Sequence, residues 1–216
     1  MIRERAVILA RGLGTRMREA TDGTLDPAQA QAAETGAKAM MPIAVPRAGG
    51  SGAASRPFLD YGLSALADAG YTDVCLVVAP DHDAMARHYS GPGRPRRLRL
   101  AFAVQEAPIG TADAVAAAET WTGDDHFLVI NGDNYYAVPT LASLVGRPGA
   151  AAALYRAEML LAKSNIPADR IRAFALGVVE DGRLTRVVEK LTPAQAAALG
   201  GALVSMTCWR MPPEIH

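Results

Sequence analysis

Near the N-terminus the string Leu9-Ala10-Arg11-Gly12-Leu13-Gly14-Thr15-Arg16-Met17 follows at once on an apolar run, Ala6-Val7-Ile8-Leu9. The run is short and partly β-branched, which reads as a buried strand. A strand that breaks into a glycine-bearing turn exposes successive backbone N–H groups. Gly12 and Gly14 carry no Cβ, so the turn is free to take positive φ and a ligand can approach the main chain closely. Thr15 adds a hydroxyl and Arg16 a planar cationic fork, and together these donors suit a polyphosphate. Arg11 reads either as a surface side chain or as an extra hand on the same phosphates. Two other phosphate motifs are missing. No Gly-x-x-x-x-Gly-Lys-Ser/Thr string occurs, and Met17 stands where the dinucleotide fingerprint needs a third glycine.

The elements that must position these groups alternate between strand and helix over the first two thirds of the chain. Asp26, Pro27 and Gly36 bracket a short helix over 27–34. Phe58, Leu59, Leu63, Leu66 and Ala67 recur at helical spacing within 57–69, and Gly70 ends that run. Strands are expected at 74–79, 98–104 and 127–130, helices at 81–89 and 111–119, and a flexible loop at 47–56. Continuous apolar strands separated by helices predict an α/β architecture, a Rossmann-like, mostly parallel sheet with helices on both faces. Ligands in such sheets bind beyond the carboxyl ends of the strands. The glycine turn, Gln105 and Asp133 all fall there. In the last third, 151–157, 174–179, 184–188 and 202–211 read as strands, with Asp181-Gly182 as a tight hairpin turn. Asp81-His82-Asp83 with His88 offers metal-ligand types. It lies at a helix start after Pro80, where Asp serves as a cap and complements the helix dipole. His126, Trp121 and Trp209 read as structural.

The segment from Leu9 to Met17 resembles the signature loop of the sugar-1-phosphate nucleotidyltransferases, Leu-Ala-Ala-Gly-x-Gly-Thr-Arg-Met/Leu, with Arg11 in place of the usual alanine. Further motifs follow in the family's order. They are Lys38-Ala39-Met40-Met41-Pro42-Ile43, then Gln105 with Gly110-Thr111-Ala112, then a strand ending in Gly132-Asp133, then Val187-Val188-Glu189-Lys190. The resemblance implies a GT-A-like nucleotidyltransferase fold in one domain, with a nucleotide-binding half over 1–136 and a mixed-sheet, sugar-phosphate-binding half over 137–216. It implies Mg²⁺-dependent transfer of a nucleotidyl group from a nucleoside triphosphate, UTP or dTTP favoured, to a sugar 1-phosphate, with release of pyrophosphate.

On that resemblance Leu9, Ala10, Gly12, Leu13, Gly14, Thr15, Gln105, Gly110 and Thr111 would bind the nucleotide. Arg16, Lys38 and Asp133 would be catalytic, with Asp133 also holding Mg²⁺, and Glu189 and Lys190 would meet the sugar phosphate. The Gln105 amide can donate and accept at once, which matches the carbonyl and imide N–H of uracil or thymine. The family's second carboxylate usually follows the strand matched here by 204–211. Only Pro212-Pro213-Glu214-Ile215-His216 comes after it, so the second half is expected to be C-terminally incomplete. Stretches 19–37 and 47–56 exceed the family's usual length and suit either lids or plain surface excursions. A nucleotidyltransferase with a non-sugar phosphate acceptor and an inactive nucleotide-sugar-binding module remain open as alternatives.

Composition sets the outer bounds. Lys+Arg and Asp+Glu are both 22, so no basic excess marks a nucleic-acid or membrane-surface protein, and anionic ligands must be held by a local cluster. Half of the 216 residues are apolar, enough for a substantial core. Cys75 and Cys208 each sit in an apolar run and read as small buried hydrophobes, not as a disulfide or metal pair. The absence of a long apolar stretch or signal peptide leads to the expectation of a cytoplasmic protein, with homo-oligomerisation compatible with the sequence.

Overall fold

A computed structural model of the chain describes residues 3–12, 38–46, 53–189, 192, 194–195 and 202–216. The expected helix at 27–34, the stretches 19–37 and 47–52, and Leu13, Gly14, Thr15, Arg16 and Lys190 lie outside the described residues.

The first part of the chain forms β1 (Arg5–Leu9), a 3₁₀ turn (Lys38–Met40), β2 (Pro42–Pro46), β3 (Ala53–Pro57) and α1 (Phe58–Asp68). It continues through β4 (Asp73–Val78), α2 (Asp83–Ser90), β5 (Arg99–Val104), α3 (Thr111–Ala116), α4 (Glu119–Thr122) and β6 (Phe127–Asn131). Then come α5 (Val138–Ala142), β7 (Ala151–Tyr155), α6 (Ala157–Lys163), α7 (Ala168–Arg172), β8 (Ala175–Glu180), β9 (Arg183–Val188) and β10 (Leu203–Met211).

The main sheet runs β5-β4-β1-β6-β10-β8-β9, with β7 also paired to β10. β5, β4, β1 and β6 are parallel, in the register Val7↔Cys75 and Val7↔Val129. β10 is antiparallel to β6, β7 and β8. This is the expected α/β sheet with a mixed second part. Helices cover both faces because alternate residues of each strand point opposite ways. Ala6, Ile8, Val74 and Leu76 pack with Leu59, Leu63 and Leu66 of α1 on one side. Val7, Cys75, Val77 and Val129 pack with Ala114 and Val115 of α3 and with Ala118 on the other. The hairpin between β8 and β9 turns through Asp181 (φ 49°) and Gly182 (φ 75°), as Asp-Gly predicts.

Three local expectations are corrected. Residues 53–56 are not loop, because Ser55 and Arg56 pair with Ala44 and Ile43 and so form β3. The 111–119 helix is two helices, since Ala118 N–H bonds the Val115 carbonyl (3.0 Å) in a tighter turn between α3 and α4. Asp81 does not cap α2. The cap position is His82, without a side-chain cap bond, and its Nδ1 lies 2.8 Å from the Ala79 oxygen, while Asp83 sits in the first turn. Among the described residues no helix is long and apolar enough to cross a membrane.

Cys75 and Cys208 are fully buried free thiols, and burial pushes both up to about 12. In mildly alkaline buffer both thiols therefore stay protonated, and only the thiolate attacks a disulfide reagent. The native protein should therefore give no fast thiol reaction with an aromatic disulfide, whereas the guanidinium-unfolded chain should give two thiols. Fast reaction of a native cysteine would contradict the packing described.

Candidate active site

Because β1, β4, β5 and β6 are parallel, the chain leaves all of them at one rim. Main-chain bonds carry the pairing beyond the strand ends: Ala10 N–H to the Val77 carbonyl (2.8 Å), Gln105 N–H to that of Val78 (2.9 Å) and Gly132 N–H to that of Leu9 (2.9 Å). At Gly132 a Cβ would stand 3.1 Å from the Leu9 oxygen, tighter than an ordinary contact, so this approach of two backbones favours glycine. The rim encloses a cavity of about 410 Å³. Leu9, Ala10 and Gly12 line it from β1, and Gln105, Gly110 and Thr111 from the stretch after β5. Asp133, exposed just past β6, lines it as well. Lys38 opens the 3₁₀ turn whose next residue, Ala39, reaches the same cavity. Gly12 does not use its freedom, since its φ is not in the left-handed region, and among the described residues nothing stands within 4 Å of where its Cβ would be. Gly110 does, at φ 132°, directly before α3.

Gln105 is buried, and its Nε2 donates to the Gly110 carbonyl (3.1 Å) and to Oδ2 of Asp113 (2.8 Å). Both amide hydrogens are thereby used. In this arrangement Nε2 is held by acceptors of the protein itself, where the sequence reading expects the amide both to donate to and to accept from a base. Arg11 is neither a plain surface side chain nor wholly available to phosphates. Its Nε donates to the Gln105 carbonyl (2.6 Å) and its Nη2 to that of Glu106 (3.0 Å). It ties the turn after β1 to the turn after β5, and its Nη1 is buried with no hydrogen-bond partner among the described residues.

A second cavity, of about 930 Å³, adjoins the first, and Thr111 and Asn131 line both. Glu189, exposed just past β9, lines it together with Trp209 and Met206. Its wall includes Thr207, a β-branched residue at φ 56° where β10 shifts register between its neighbours. Such a conformation is costly for threonine and persists only when held from outside. Tyr136 holds it: its buried hydroxyl donates to the Met206 carbonyl (2.6 Å), with the Thr207 carbonyl at 3.0 Å. Asn134 in turn donates to the Tyr136 oxygen (3.2 Å). Sequence reasoning missed Asp113, Thr207 and Tyr136. Only the acidic first turn of α3 hinted at the first of these. Among the described residues no three His, Cys, Asp or Glu side chains cluster as a metal site, which removes Asp81, His82, Asp83 and His88 as one.

The model of the family described as "Nucleotidyl transferase" matches residues 5–208. A glucose-1-phosphate thymidylyltransferase of Streptomyces antibioticus is 35% identical over 131 residues, covering 61% of this chain and 30% of that enzyme. One of Neisseria meningitidis is 28% identical over 132 residues, covering 61% of this chain and 38% of the enzyme. The chain thus matches about a third of the length of these curated relatives. Among solved structures, a UDP-glucose pyrophosphorylase complexed with UDP-glucose superposes with a TM-score of 0.67 at 15% identity, covering 99% of this chain and 77% of that one. The UTP-bound UGPase of Acinetobacter baumannii gives 0.67 at 17% identity, covering 99% and 75%. These likenesses identify the GT-A-like nucleotidyltransferase fold. With a family model spanning nearly all of the described sheet, the chain belongs to the nucleotidyl transferase family.

Proposed function

We propose that the protein transfers a nucleotidyl group from UTP or dTTP to a sugar 1-phosphate, forming a nucleotide sugar and releasing pyrophosphate. The observation that carries this reading is the pair of adjoining cavities, which meet at Thr111 and Asn131, one lined by Asp133 and the other by Glu189. A two-substrate reaction between anions needs such a meeting point. The relatives named for glucose-1-phosphate thymidylyl transfer favour a sugar 1-phosphate as acceptor and a thymine or uracil base on the donor.

An oxygen of the sugar phosphate attacks the α-phosphorus, and the bond from that phosphorus to the oxygen bridging to the β-phosphorus breaks, so pyrophosphate leaves with the electron pair. Catalysis of such a step is mainly alignment and charge neutralisation. The backbone after β1, with Gly12 to Gly14, Thr15 and Arg16, would take the β- and γ-phosphates. Lys38 would meet the phosphate under attack. Glu189 would accept from sugar hydroxyls, and Lys190 would meet the sugar's phosphate. Mg²⁺ is satisfied by one or two carboxylates plus phosphate oxygens and water. A single aspartate at the rim, without a larger ligand cluster among the described residues, fits an ion carried largely by the triphosphate. Asp133 would hold that ion, which when bound neutralises charge on the phosphates. The nucleotide-binding role falls to the half over 1–136 and the acceptor role to the half over 137–216.

A pyrophosphate-release screen of sugar 1-phosphates against UTP, dTTP, ATP and GTP tests this reading. UTP or dTTP should outcompete both purine nucleotides, and Gln105→Ala should blunt the preference, since each lost hydrogen bond in a buried site is worth ~1–3 kcal/mol. Equal use of ATP and UTP by the unaltered protein would count against a base site at Gln105.

A further inference from the structure

We propose that Asp113 is a specificity-determining positioning residue, one that holds the Gln105 amide so that the site accepts a hydrogen bond from the base and cannot give one. This rests on the nucleotide site described above and names how that site chooses its base. Gln105 Nε2 faces the Gly110 carbonyl at 3.1 Å and Asp113 Oδ2 at 2.8 Å. A carbonyl and a carboxylate are acceptors only. The flipped amide would set Oε1 against both oxygens and leave two acceptors facing a third, so the orientation is fixed by chemistry and not by assignment. The backbone end of the same residue is also tied. Its N–H bonds the Val78 carbonyl (2.9 Å), and its own carbonyl accepts from Arg11 Nε (2.6 Å). With the pivot held and both amide hydrogens used, Oε1 is the polar atom that this 5%-exposed side chain has left for the cavity it lines.

The consequence is a rule about the base edge. Uracil and thymine carry N3–H and can donate to Oε1. Cytosine presents a bare N3 at the same place, so two acceptors would meet, and a site built to receive a hydrogen bond rejects the isostere that cannot make it. UTP and CTP match in size and charge and differ only at N3 and the adjoining 4-position, so their ratio reads this edge of the base and the Asp113 variants isolate the Gln105 contact within it. Without the Asp113 carboxylate one amide hydrogen is released, the side chain can turn, and Nε2 becomes available to a cytosine N3.

Isothermal titration of UTP and of CTP into the full chain tests this, using the unaltered protein, Asp113→Ala, Asp113→Ser and Asp113→Asn. Asp113 is half-buried on the first turn of α3, where serine is well tolerated and too short to reach the amide. Thermal melts establish which variants are folded, and either Asp113→Ala or Asp113→Ser suffices. The unaltered protein should bind UTP at least ~10-fold more tightly than CTP, the discrimination expected from one buried hydrogen bond. In Asp113→Ala and Asp113→Ser that ratio should fall by a similar factor, partly through a gain in CTP affinity that mere loosening of the site would not produce. Asp113→Asn, whose Oδ1 can accept the same proton, should restore the ratio. A ratio unchanged in a folded Asp113→Ala or Asp113→Ser protein, or equal binding of the two nucleotides by the unaltered protein, would overturn the proposal. Because binding is read without turnover, pyrophosphate release measured in parallel reports separately on the transfer reaction.

Discussion

Replacing Asp133 with asparagine should lower turnover at least ~100-fold while leaving the fold intact, the scale seen when one stabiliser of transition-state charge is removed. The amide keeps the shape of the carboxylate and loses the charge that would hold Mg²⁺. The residue is exposed at the cavity rim just past β6, so the change creates no hole in the core. The thermal midpoint should stay close to that of the unaltered protein. Initial rates of pyrophosphate release at saturating Mg²⁺ check the prediction, and near-normal rates would remove Asp133 from the metal's coordination.

The largest stability effect should come from the other end of the sheet. Arg210 Nη1 meets Glu4 Oε2 at 3.0 Å with both side chains 8% exposed. Glu4 Oε1 also accepts from Gly146 N–H (3.1 Å), and Arg210 Nε donates to the Arg147 carbonyl (2.7 Å). The pair therefore joins the residue preceding β1, the last residues of β10 and the turn before β7. Removing one partner strands a charge in a dry environment, which costs about 3–5 kcal/mol. Arg210→Met should lose stability on that scale in urea unfolding. The double change Glu4→Leu with Arg210→Met should recover much of the loss, because an apolar pair of similar volume has no charge to desolvate. A single variant within ~1 kcal/mol of the unaltered protein would show that the pair contributes little to the fold.

The frame was legible where local pattern and final environment agree. β1, β4 and β6 are continuous apolar runs because they are buried on both faces, and the parallel order places Leu9, Gln105 and Asp133 on one rim without further information. What stayed hidden depends on partners far apart in the chain. Tyr136 props the Thr207 backbone across 71 positions, and Glu4 meets Arg210 across 206. No periodicity within either segment encodes such pairs. Asp113 was hidden differently. It stands only 8 positions from Gln105, yet the contact exists because Gly110 takes a φ of 132° and folds the start of α3 back under the amide. A motif reading sees Gln105 and Gly110-Thr111-Ala112 but not the carboxylate that orients the first. Asp81 was misread for a related reason. The chain makes a further turn before α2 begins, so the residue with the right chemistry is not at the cap.

Phosphorus NMR of one reaction mixture tests nucleotidyl transfer most directly. The mixture holds the protein, Mg²⁺, UTP or dTTP, and a sugar 1-phosphate. Pyrophosphate and a sugar-linked diphosphate should rise together in equal amounts, and neither should form when the sugar phosphate is left out. Inorganic phosphate with a nucleoside diphosphate, or a spectrum that stays unchanged while the triphosphate is demonstrably bound, would contradict it.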